Sequence, residues 1–159
     1  GFNPEEVVEY NIPLELKQHY FYLDGKWNNS KDSMELVSEN GLIMLNYNAK
    51  QVNIVASNNA ELEIFIDGEY IPKHIAGIDV NQDGKVMIIE PRLYNIVDST
   101  VTESHELIIK VNDPKFEIFT KFANFLEFLG KIDHFLQNDF QTAVFTSKWE
   151  SSKFENFDM

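Results

Sequence analysis

Between Ala76 and Val97 the chain reads AGIDVNQDGKVMIIEPRLYNIV, and Asp79, Asn81, Asp83, Gly84 and Glu90 fall at the D-x-[DN]-x-[DN]-G-x5-E spacing of an EF-hand calcium loop. In such a loop, carboxylate and amide oxygens converge on a hard cation held between two helices, and the last carboxylate closes the cage. The flanks here supply no helices. Pro72 and Gly77 stand where the entering helix would run, Pro91 directly follows Glu90, and Val86–Ile89 is a β-type run. Asn, Asp and Gly are also the residues of tight turns, because they tolerate positive φ and bond to their own backbone. The expectation is a strand–turn–strand element, with calcium in a non-EF loop as the lesser alternative and no other metal or cofactor.

The other residues able to do chemistry are scattered. His19, His74, His105 and His134 show no spacing that would put two imidazoles on one metal, and each reads as a strand-end or surface histidine. There is no Gly-x-Ser-x-Gly elbow, no phosphate-cradling glycine loop and no dinucleotide fingerprint. Nothing singles out an acid–base pair among the 26 carboxylates. With 0 Cys, thiol nucleophiles, disulfides and zinc–thiolate sites are excluded together. The chain is therefore expected not to be an enzyme. Ligand binding leaves Trp27, Tyr94 and Arg92 as candidates, since aromatic rings stack on sugars while polar neighbours read hydroxyls. Their structural reading is the favoured one, with Trp27 and Tyr94 as core anchors and Arg92 paired with a nearby acid.

Those residues need elements to hold them. At 159 residues, one domain is the economical expectation, burying about two thirds of the surface of its unfolded form. Lys plus Arg number 13 against 26 Asp plus Glu, and the resulting charge of −13 repels nucleic acid and anionic membrane alike. Apolar runs fall far short of the ~20 residues that span a bilayer. Residues 1–19, interrupted by Pro4 and Pro13, read as a linker from a preceding domain. From Tyr20 to Thr120 come short strands at close spacing: Tyr20–Leu23, Leu42–Tyr47, Gln51–Ser57, Leu62–Ile66, His105–Val111 and Phe116–Thr120. Asp24-Gly25 and Asp67-Gly68 read as hairpin turns between strands. The fold class is mainly β, an antiparallel sandwich of jelly-roll order spanning residues 20–120.

The pattern then changes. Phe122, Phe125, Leu126, Leu129, Ile132, Leu136 and Phe140 recur at three–four spacing, which predicts an amphipathic α-helix within a Phe-rich C-terminal extension, residues 121–159. Residues 121–140 are the expected contact if the chain forms a homo-oligomer.

Several blocks, in order, resemble one family: LDGKW (23–27), NAKQVNIV (48–55), FIDG (65–68), AGIDV (76–80), PRLYNIV (91–97) and HEL (105–107). The chain is similar to the C-terminal domain of DipZ-type thioredoxin-like proteins, membrane-anchored thiol–disulfide oxidoreductases. The resemblance implies a sandwich of the carbohydrate-binding-module type, extracytoplasmic and preceded by a thioredoxin-fold domain that carries the redox cysteines. It brings no catalytic residue and stops near Phe119, so the extension lies outside it. Three functions follow as expectations. The first is an accessory module engaging a glycan or a protein client. The second is a structural or oligomerisation domain, and the third a calcium-binding module.

Overall fold

The computed structural model describes residues 6–30 and 32–119. Among the described residues nine strands run in order as β1 (Glu6–Tyr10), β2 (Phe21–Asn29), β3 (Ser33–Leu36), β4 (Gly41–Ser57), β5 (Ala60–Ile66), β6 (Glu69–Tyr70), β7 (Lys85–Ile88), β8 (Arg92–Val111) and β9 (Glu117–Phe119), with one 3-10 turn at Lys73–Ile75. Every pairing between them is antiparallel. The mainly β, antiparallel expectation therefore holds. The helix expected from residue 121 falls outside the described residues.

Strand alternation builds the core as the sequence suggested. In β5, Leu62, Ile64 and Ile66 point inward while Glu61, Glu63 and Phe65 are half-buried on the other face. Trp27, Phe21, Ile54, Ile64, Ile109 and Phe116 meet in one cluster. The indole of Trp27 packs edge-to-face on Phe116 with centroids 6.4 Å apart, and its Nε1 donates to the Asp24 carbonyl at 3.0 Å. That bond satisfies the one polar atom of a ring with no exposed surface.

The arrangement differs from two jelly-roll sheets. All nine strands share one hydrogen-bonded network, and β2, β3, β9 and β4 pair in sequence and back to β2, closing a small barrel. The physical reason lies in the length of β4 and β8. The two apolar runs Leu42–Tyr47 and Gln51–Ser57 are one strand of 17 residues, paired to the 20-residue β8 from Gly41↔Val111 to Ala56↔Arg92. Register shifts at Ala49/Gln51 and Val52/Asn53 bend this ribbon, so one strand pair serves both halves of the core.

Asp24-Gly25 is likewise not a turn. β2 runs straight through it, and Gly25, at φ +104, marks where β2 changes partner from β4 to β3. A Cβ there would stand 2.8 Å from the Asn40 carbonyl oxygen. Asp67-Gly68, by contrast, is a hairpin turn with φ +52 and +88, the pair of positive values a two-residue type I′ loop demands. The N-terminal stretch also departs from the linker expectation. Glu6–Tyr10 is strand β1, paired along β2, and the buried Tyr10 hydroxyl donates to Asn29 Oδ1 at 3.0 Å.

Candidate functional site

The Asp79 and Arg92 segments come together as a latch across the ribbon. One carboxylate serves both sides. Arg92 Nη2 donates to Asp79 Oδ1 at 2.8 Å, and the backbone N–H of Asn95 donates to Asp79 Oδ2 at 2.7 Å. Asn95 answers with its own side chain, accepting from Ile78 N at 2.9 Å and donating to Asn53 Oδ1 at 2.9 Å. Gly77 N donates to the Ile96 carbonyl at 2.8 Å, which draws the 76–80 loop flat against β8. The approach is so close that a Cβ at Gly77 would lie 2.6 Å from both the carbonyl carbon and Oδ1 of Asn95. Only glycine fits, because the obstacle is the backbone of a central strand.

Arg92 also covers Tyr94, its guanidinium 3.9 Å above the ring centroid. The Asp79 bond, ahead of all other causes, raises its pKa further. Tyr94 itself is wholly buried, and its hydroxyl donates to the Glu90 carbonyl at 2.6 Å while accepting from Ile89 N and Glu90 N at 3.2 Å. The hydroxyl thus acts as the turn's hub. Trp27 is equally buried. Neither ring has a face free to stack on a sugar, so the aromatic platform considered from sequence is not formed, and both residues take the structural role instead.

The calcium spacing is used by the backbone. Asn81 Oδ1 accepts from Asp83 N at 2.9 Å and Lys85 N at 3.0 Å, an Asx turn that starts β7. Gly84 completes it at φ +75 against the Tyr70 ring. Asp79 faces Arg92, and Glu90 turns outward, 3.5 Å from Arg92 Nε. The four ligand-like side chains Asp79, Asn81, Asp83 and Glu90 therefore do not converge. Among the described residues no cluster of three or more His, Asp or Glu side chains is placed to hold a metal.

A second polar constellation was not read from the sequence. His105 Nδ1 lies 2.6 Å from Asp67 Oδ2 and its Nε2 lies 2.8 Å from Glu103 Oε2. Only an imidazolium donates from both nitrogens, and Glu103 first, then Asp67, raise the His105 pKa. Asp67 is held below the usual carboxylate range, first by the Glu106 N–H at 2.9 Å and then by His105. Behind them Tyr47, directly across the ladder, has a buried hydroxyl with no partner among the described residues, and burial raises its pKa. His105 and Glu103 share a strand face at two-residue spacing, which was legible; Asp67 and Tyr47 arrive only through register. The bonds from Asp67 to His105 and to the Glu106 N–H make the group a clasp tying the β5–β6 turn to β8.

A shallow groove of about 580 Å³ opens between Asn58, Ile89, Pro91, Pro114, Lys115 and Glu35. Asn58 and Lys115, at φ +69 and +78, are joined there by Asn58 Nδ2 donating to the Lys115 carbonyl at 2.7 Å.

Taken together, the described residues form a mainly β, antiparallel domain whose polar clusters hold loops in place. Over residues 1–122 the chain matches the family described as thioredoxin like C-terminal domain, and it belongs to that family. The description implies linkage to an N-terminal thioredoxin-like domain in a larger protein. No curated protein matches the chain.

Proposed function

We propose that the chain is the non-catalytic accessory domain of a thioredoxin-like thiol–disulfide oxidoreductase of DipZ type, acting outside the cytoplasmic membrane and helping the parent enzyme engage protein clients. The observation that carries the reading is family membership over residues 1–122 in a chain with 0 Cys. The redox couple then has to come from the preceding domain. A protein client is favoured over a glycan because Trp27 and Tyr94 are buried and Arg92 is engaged by Asp79 and Glu90. The test uses the intact parent protein with and without this domain, assayed on a disulfide-bonded protein and on a small-molecule disulfide. Loss of turnover on the protein with the small disulfide unaffected is the expected result. Equal loss on both substrates, or no loss on either, would overturn the reading.

A further inference from the structure

An antiparallel sheet with one solvated face carries polar side chains outward. This sheet breaks that rule along one row. On the face away from the core, Met44 of β4 stands opposite Ile108 of β8, Ile108 opposite Phe65 of β5, and Phe65 opposite Tyr70 of β6. Leu42 is the next outward position on β4. The alternating neighbours Ile43, Leu45, Ile64, Leu107 and Ile109 are in the core, which fixes the row on the opposite face. Met44, Ile108 and Phe65 are half-buried, and Tyr70 is 47% exposed. At about 4.8 Å between strands the row spans about 14 Å. Its aromatic end is preset, with the Phe65 and Tyr70 rings 4.5 Å apart and the Tyr70 hydroxyl donating to Glu63 at 2.7 Å.

We propose that this apolar row is the surface on which the preceding thioredoxin-like domain of the parent protein docks, an inference that rests on the function proposed above. A second copy of the chain is disfavoured, since each copy carries a charge of −13. The margin of the row is acidic. Asp24, Glu63 and Glu106 share its face with Lys110, while Lys85 is already held by Glu61 at 2.8 Å. The complementary patch is apolar with a Lys- or Arg-rich edge. The tether fits as well. β1 pairs Tyr10 with Gly25, next to the Asp24↔Leu42 pair that adjoins the row. Glu6 lies four residues up β1, about 14 Å away by strand rise. A domain joined there is kept at high local concentration over the row. The aliphatic Met44, Ile108 and Leu42 side chains offer a sugar no stacking face, and the two rings of the row are already engaged, Phe65 with Tyr70 and with Lys110 Nζ 5.5 Å from its centroid, and the Tyr70 hydroxyl with Glu63.

Methionine methyl resonances provide the test. Met44 sits in the row, Met34 is fully buried, and Met87 is 48% exposed on β7. With 13C-methyl methionine in the intact parent and in this chain alone, the Met44 signal should differ between the two while Met34 does not. Phe65→Glu in the parent should return Met44 to its position in the isolated chain, and Tyr70→Ser, at the exposed end, should do so in part. A parent that carries the thioredoxin-like domain yet leaves Met44 unmoved overturns the docking and spares the functional reading. A parent without such a domain overturns the functional reading itself. A Met44 shift on raising the concentration of this chain alone, or on adding a soluble chito-oligosaccharide with the parent spectrum unmoved, would give the row to a second copy or to a sugar and also overturn the docking.

Discussion

Replacing Gly77 by alanine tests the latch at its tightest point. The added Cβ would lie 2.6 Å from the Asn95 carbonyl carbon and from Asn95 Oδ1. No rotamer relieves this, because the Asn95 backbone is paired to Asn53 in the middle of the β4–β8 ribbon. Overpacking of this kind costs about 2 kcal/mol. The loop then has to lift, stretching the Gly77 N–Ile96 O and Ile78 N–Asn95 Oδ1 bonds, worth about 1 kcal/mol each. The expected loss is about 4 kcal/mol, a large share of an ordinary domain's stability. At roughly 4 °C per kcal/mol for a domain of this size, the melting point falls by about 16 °C. Thermal unfolding followed by far-UV circular dichroism reads it directly. Gly68→Ala is the control, since nothing lies within 4 Å of its Cβ and only the positive φ of +88 is strained; that substitution should cost about 1 kcal/mol. A Gly77→Ala protein within about 1 kcal/mol of the parent sequence would refute the close approach and, with it, the latch.

Other outcomes follow from the same geometry. Tyr94→Phe removes the hydroxyl that serves Ile89, Glu90 and the Glu90 carbonyl, and urea unfolding should show a loss of about 2 kcal/mol. The His105 clasp is pH-dependent with a definite sign. The raised His105 pKa makes its contribution complete below the unfolded value of about 6.5 and lost as pH rises through the folded value, whereas the lowered Asp67 pKa makes its share complete above about 3.9 and lost in acid. His105→Gln should therefore cost up to about 1 kcal/mol near pH 5.5, given partly exposed partners, and nothing well above the folded His105 pKa. Unfolding midpoints at the two pH values check this, and a cost that grows with pH would contradict it. Addition of millimolar calcium or of a chelator should leave the melting point where it is, because Asp79 and Asn81 are engaged by Arg92 and the backbone. A rise of several degrees with calcium would restore the loop as a metal site.

Local pattern was the legible part of this chain. The Leu62, Ile64, Ile66 alternation and the Asp67-Gly68 turn carry their geometry in adjacent residues, and both appear where sequence placed them. The Asp79 and Arg92 blocks were recognisable as markers of the fold, and Arg92 does pair with nearby acids. The misreadings involve partners distant in sequence. Asp24-Gly25 has turn chemistry, yet here it lets β2 exchange one neighbour for another. Two apolar runs fused into β4 because a bulge, not a loop, bends them. Glu6–Tyr10 is acidic and poorly patterned, and becomes a strand because β2 offers it an edge. Trp27 and Tyr94 are core anchors, as their favoured reading had it, although the partner that packs on Trp27, Phe116, lies in no local window.

Barrel closure sets an order of events during synthesis. β9, only Glu117–Phe119, fits between β3 and the far end of β4, where Glu35↔Glu117 and Ala56↔Ile118 are paired. Until the ribosome has released residue 119, β3 and the Ala56–Ser57 end of β4 keep open edges, and the site later filled by Phe116 stays unfilled. Nascent chains paused just short of this point would carry strands ready to pair with other chains. The last three residues of the described fold act as its keystone.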